Sequence, residues 1–156
     1  LLNECWPKLR GEWSKLSESP PSSLKIQAAH FDLHPHNVLV TKDKIAAVLD
    51  FESCKQMDPG YALGFAALKQ CRQVVAYRNN AADAHIVGAQ YIATLLKYCN
   101  FAKPFAHKLG DFAVSEALRR ICLILNLNLN HGRAVWNHVL SVQIKHIGEA
   151  RELFGQ

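Results

Sequence analysis

A chain of 156 residues is long enough to bury one substantial core. Its 49% apolar and 20% charged residues are those of a folded globular protein, and no apolar run approaches the ~20 residues of a membrane-spanning helix. The formal net charge of +5 suits an anionic ligand, but the basic residues are dispersed rather than run together, which argues against a nucleic-acid partner. Five cysteines (Cys5, Cys54, Cys71, Cys99 and Cys122) are odd in number and never in C-x-x-C spacing. That pattern points to reduced thiols and a cytoplasmic location, and away from a structural zinc site. The chain opens with neither Met nor a signal-peptide pattern.

In chain order, Leu2, Cys5, Trp6, Leu9, Trp13 and Leu16 recur at helical spacing, so residues 1–17 read as an amphipathic helix whose aromatic stripe packs on the core. Residues 17–23, rich in Ser and Pro, form a loop, and 24–29 an extended lead into His30. Val38 to Val40 and Ile45 to Leu49 are short β-branched runs that read as buried strands of a hairpin. Residues 55–60 read as loop. Residues 62–78 carry a helical pattern, Asn79-Asn80 interrupts it, and a second helix runs to about Cys99. Pro104 suits the first turn of a third helix, to which the alternating leucines of 123–130 are assigned as its end. Gly132 is a stop, and Val135, Val139, Val142, Ile147, Ala150 and Phe154 mark a last helix. The expected fold class is α+β, mostly helical.

The chemistry concentrates in His30-Phe31-Asp32-Leu33-His34-Pro35-His36-Asn37 and, across the hairpin, Asp50-Phe51-Glu52. With the turn centred between Asp43 and Lys44, Asn37 and Asp50 would be directly opposed, their Cβ atoms about 5 Å apart. A carboxylate beside an amide oxygen is a hard donor pair suited to Mg²⁺. The order and spacing are those of the phosphoryl-transfer signature H-R-D-L-x-x-x-N followed by D-F-G. There the first Asp accepts the hydroxyl proton and the Asn and second Asp hold Mg²⁺.

HFDLHPHNVLV and VLDFES resemble the catalytic and metal-binding segments of the aminoglycoside phosphotransferase and choline kinase superfamily, whose usual run is H-G-D-L-H-P-G-N. The resemblance is strongest from about Ala28 to Ser53. It implies the C-terminal lobe of a protein-kinase-like fold, with Asp32 as catalytic base, Asn37 and Asp50 as Mg²⁺ ligands, and His30, His34 and Glu52 in supporting roles. It further implies ATP or GTP as donor and a small-molecule hydroxyl as acceptor. Two glycines of the usual run are Phe31 and His36 here, and the carboxylate expected shortly after Asp58-Pro59-Gly60-Tyr61 is missing or displaced. No glycine-rich phosphate loop precedes the motif, and no strand Lys with a partner Glu can be placed before it. Residues 1–156 are therefore expected to be a fragment whose N-terminal lobe, and with it the nucleotide's phosphate cradle, is absent; alone they are expected to be inactive.

Two other functions compete. One is a kinase-like binding module without catalysis, against which stands the retention of Asp32, Asn37 and Asp50 together. The other is a zinc or iron hydrolase using His30, Asp32, His34 and His36, since imidazole and carboxylate suit transition metals. Charge also bears on the acceptor. Of the later acids, Glu116 can pair with Arg119 or Arg120 and Asp111 with Lys108 at helical spacing, while Glu149 and Glu152 read as solvated. Little uncommitted negative charge is then left for a polycation. The expected acceptor is neutral, singly charged or anionic, such as an amino alcohol, a sugar or a hydroxy amino acid, rather than an aminoglycoside.

Overall fold

The computed structural model describes residues 2–23, 25–131 and 137–155. In chain order, helix α1 (Leu2–Glu18) leads to strand β1 (Gln27–His30), the hairpin β2 (Val38–Thr41) and β3 (Lys44–Val48), and strand β4 (Cys54–Met57). Helices α2 (Pro59–Arg78), α3 (Ala84–Tyr98), α4 (Leu109–His131) and α5 (Asn137–Phe154) complete the chain. The expected mostly helical α+β class is what is seen. The expectations at Leu24, Gly132 and Val135 lie outside the described residues.

The strands form two separate antiparallel pairs, β1 with β4 and β2 with β3. The hairpin is thus inserted between two strands that pair with each other, His30 opposite Cys54 and Ala29 opposite Lys55. This nesting brings the two ends of the motif to one place. It also corrects the loop expected over 55–60. Lys55 to Met57 are strand, and Asp58 caps α2 by accepting from the Gly60 N–H at 2.8 Å, with Pro59 in the first turn.

The hairpin itself is not buried. Val40 and Ile45 are each 67% exposed, because β2 and β3 pair with each other and not with a third strand. Nor is its register the expected one. The turn is Lys42-Asp43, with Lys42 at φ 41°, and the bulge between Leu39 and Val40 leaves Ala46 without a partner. Val38 therefore faces Val48, and the Leu49 N–H donates to the Asn37 carbonyl at 2.8 Å.

The core lies among the helices. Leu68 and Cys71 of α2, Ala113, Val114, Ala117 and Ile121 of α4, and Ile147 and Ala150 of α5 pack together. Leu9 and Leu16 attach α1 to this cluster, but Trp6 and Trp13 are exposed: α1 rests mainly on α4, which covers one apolar stripe and not the aromatic residues beside it. A second cluster, Phe105 and Phe112 with Tyr61 and Phe101, sits under the start of α2. Pro104 does not open a helix. It falls between two short 3₁₀ turns, 100–102 and 106–108, and α4 begins at Leu109.

Several charged groups are tied down inside the helical layer. Arg151 donates to Glu12 and to Asp111, each at 2.6 Å, so Asp111 is held by α5 and not by Lys108. Glu149 is not solvated as expected but ion-paired with Arg72 at 2.5 Å. Arg72 also lies 2.9 Å from Nε2 of the fully buried His146, whose Nδ1 is 3.2 Å from the Gln143 side-chain oxygen. Nε2 must accept from the guanidinium, so Nδ1 carries the proton and the ring is neutral. Burial, reinforced by Arg72, Lys69, Arg120 and Lys145, pushes the His146 pKa down to about 3.

The unfolded chain then binds a proton that the folded chain refuses. This contribution to stability is complete above pH 6.5 and is lost as pH falls from 6.5 toward about 3. Denaturant titrations across that range should show a loss of up to about 1.4 kcal/mol per pH unit from this group. His146→Gln should flatten that slope; an unchanged slope would mean that His146 does not titrate in this way.

Candidate active site

β1 ends in His30, whose ring reaches across the nest. Its Nε2 is 2.7 Å from the Leu49 carbonyl, which must accept, so Nε2 carries the proton. Nδ1 is then free to accept the Asp32 N–H at 3.3 Å. The edge of the Phe51 ring meets the same imidazole. His30 thus ties the residues before Asp32 to those before Asp50.

Asn37 closes the arrangement. Its side-chain NH₂ donates to the Asp32 carbonyl at 3.0 Å and approaches the Asp50 carboxylate at 3.5 Å. With the nitrogen so engaged, the carboxamide oxygen remains available as an acceptor. The side chains meet by a route the sequence did not suggest. Asn37 is matched with Leu49 in the ladder, and Asp50 then adopts a left-handed backbone, φ 62° and ψ 50°, which turns the chain back toward Asn37. Asp is one of the few residues that take this conformation readily. Ser53 Oγ donates to the same Asp50 oxygen at 3.4 Å.

The Asp32 carboxylate points toward the helices. One oxygen accepts from Arg120 of α4 at 3.2 Å; the other lies 3.5 Å from His34 Nε2. His34 Nδ1 accepts the His36 N–H at 3.3 Å, which leaves Nε2 as the ring's donor toward Asp32. Burial lowers the His34 pKa, opposed by the Asp32 charge. Glu52 lies exposed in the 3₁₀ turn 51–53.

Arg120 is the residue that sequence reasoning missed. Its pairing with Glu116 is visible at helical spacing, but its reach to an aspartate 88 positions away is not. Glu116 is fully buried and takes hydrogen bonds of 2.6–2.8 Å from Arg119 and Arg120, which fixes the guanidinium that meets Asp32. Among the described residues no three His, Cys, Asp or Glu side chains converge as a metal-binding group, so the histidines of the motif do not assemble a transition-metal cluster.

This geometry is carried by a chain of known kind. The family model for the phosphotransferase enzyme family matches residues 2–98, more than half of the chain and the whole of the nest. The protein belongs to that family, whose members transfer phosphoryl groups. No curated protein and no solved structure matches it. No helix among the described residues is long and apolar enough to cross a membrane.

Proposed function

We propose that the protein is a nucleotide-dependent small-molecule kinase that phosphorylates a hydroxyl group, and that residues 1–156 are its kinase-like catalytic lobe. The observation that supports this reading is the junction at Asn37, whose side-chain NH₂ donates to the Asp32 backbone carbonyl at 3.0 Å and approaches the Asp50 carboxylate at 3.5 Å, in a family of phosphotransferases. Asp32 is the group that orients the acceptor hydroxyl and takes its proton as the oxygen attacks the terminal phosphorus. Phosphoryl transfer asks mainly for positioning and charge stabilisation, and a carboxylate held by Arg120 and His34 is well positioned. The Asn37 carboxamide oxygen and the Asp50 carboxylate would supply an all-oxygen donor set, the kind Mg²⁺ accepts while keeping water and phosphate ligands. Bound there, Mg²⁺ would neutralise charge on the nucleotide phosphates. ATP or GTP is the donor in this reading.

The test is phosphoryl transfer from Mg·ATP or Mg·GTP to a panel of hydroxyl compounds by the full-length gene product. Absence of transfer to any of them would leave the non-catalytic binding module as the better reading. A titration of Mg²⁺ addresses the donor pair. Asp50→Asn keeps the backbone preference and one oxygen but loses the charge, and should raise the Mg²⁺ concentration for half-maximal rate about tenfold or more, the usual scale for loss of a charged or supporting ligand. An unchanged Mg²⁺ requirement would remove Asp50 from the metal site. Stoichiometric zinc or iron in the purified protein would instead support the hydrolase reading.

A further inference from the structure

Phe31 stands where the family's usual run has glycine, and the structure shows what the ring is used for. It is 5% exposed, and three cations cover it: Lys55 Nζ at 4.0 Å from the ring centre, and the guanidinium carbons of Arg119 at 5.0 Å and Arg120 at 5.7 Å. Such stacking is favourable because the ring face is electron-rich. It also holds like charges together. Lys55 is brought there by β4, opposite Ala29, and its pKa is lowered by burial and by the neighbouring arginines, with Glu116 opposing. Lys69 of α2 adds a further cation. It lies 5.6 Å from the Phe65 ring, on whose face Arg120 also stacks at 3.8 Å.

The local balance is positive. Lys55, Lys69, Arg119 and Arg120 gather about Glu116 and Asp32, and both carboxylates are engaged: Glu116 by Arg119 and Arg120, and Asp32 by Arg120; Glu149, which also acts on Lys69, is paired with Arg72. The side on which the cations lie is also defined. His30 turns its ring to Leu49 and Phe51, on the Asn37–Asp50 side of the nest. Phe31, the next residue, turns its ring to α4. The cations therefore flank Asp32 from the side away from the metal-ligand pair; with the nucleotide on the Asn37–Asp50 side, that is the side left to an acceptor.

We propose that the acceptor carries an anionic group, carboxylate or phosphate, besides the hydroxyl that is phosphorylated, and that Lys55 with the Arg119 edge anchors it. This rests on the reading of Asp32 as the base. Lys55 is exposed, and Arg119, with 47% of its side chain exposed, has a guanidinium nitrogen beyond the two given to Glu116. An ammonium and a guanidinium about one ring, close enough for Arg119 to act electrostatically on Lys55, suit one planar or tetrahedral oxyanion.

Equilibrium binding separates this proposal from the reading it rests on. The full-length gene product, with Mg²⁺ and a non-hydrolysable ATP analogue, is titrated by ligand-detected NMR with matched compounds: glucose, glucosamine, glucuronate and glucose 6-phosphate, and likewise glycerol, glycerate and glycerol 3-phosphate. At least one anionic member should bind tenfold or more tightly than its uncharged match. The carboxylates and phosphates in the two series show which oxyanion is preferred. Lys55→Gln should shrink that gap to threefold or less, and Lys55→Glu should turn the preference toward glucosamine.

Equal or weaker binding of every anionic compound would overturn the proposal, as would a gap unchanged in Lys55→Gln. A rise in the Kd of the nucleotide analogue in place of the acceptor effect would overturn it too, by assigning the cations to the nucleotide. Phosphoryl transfer from ATP is measured separately. Transfer without anion preference defeats this proposal alone, whereas anion preference without transfer defeats the kinase reading and leaves Lys55 and Arg119 as the anion site of a non-catalytic module.

Discussion

Asp32→Asn in the full-length gene product is expected to lower turnover by at least about 10²-fold, the lower range for a positioned general base. Asparagine is the informative choice. Its carboxamide oxygen can still accept from Arg120, as the Asp32 oxygen does at 3.2 Å, so the Arg120–Glu116 arrangement behind it need not rearrange. What is lost is the negative charge and the ability to take a proton. Asp32→Ala, by contrast, leaves Arg120 without its partner on the nest, and part of its effect would come from that guanidinium moving. The measurement is kcat with saturating acceptor and Mg·ATP, beside a thermal denaturation of the same sample. A rate within a few-fold of the parent would remove Asp32 from the mechanism and with it the main support for a kinase.

Gly88→Ala is expected to lower stability although alanine is the better helix former. Gly88 lies where α3 crosses α5, and a Cβ placed on it would meet the Leu153 carbonyl oxygen at 1.8 Å. That atom is backbone, so no side-chain rotation relieves the overlap; the two helices must separate. Alanine gains about 1 kcal/mol in helix propensity over glycine, but overpacking against a fixed neighbour costs up to about 3 kcal/mol and occasionally more. A net loss of about 2 kcal/mol would lower Tm by roughly 4–8 °C in a chain of this length. Gly11→Ala supplies the control. Gly11 is inside α1 with nothing within 4 Å of its ideal Cβ, and there the same change should stabilise by up to about 1 kcal/mol. Equal shifts at the two positions would show that the α3–α5 crossing adapts at little cost.

How far the chain could be read in advance follows from which forces are local. The helices announced themselves through apolar periodicity, and α4 continued through Leu123 to Asn130 despite their alternation, because no strand was near to pair with them. The hairpin was legible from Val38 to Val40 and Ile45 to Leu49, but its exposure was not, since β-branched residues report a strand and not what covers it. β4 was missed because Cys-Lys-Gln-Met holds no β-branched or aromatic residue; only its partner β1 makes it a strand. The motif spacing led to Asp32, Asn37 and Asp50, yet the contact between the last two depends on a bulge and a left-handed residue that no pairing rule foretells. Arg120 and Arg151 reach partners 88 and 139 positions away, and such ion pairs leave no trace in sequence order.

The left-handed backbone of Asp50 sets two independent filters on one codon. The backbone admits Gly, Asn or Asp at little cost and penalises β-branched residues by roughly 1–2 kcal/mol or more; the neighbouring Asn37 side-chain NH₂ favours a hydrogen-bond acceptor. Glycine passes the first filter and fails the second. Asp50→Gly is therefore a substitution that would remove the carboxylate from beside Asn37 while keeping the backbone turn. Under the kinase reading, the donor pair could thus be dismantled by one substitution that folding would not oppose.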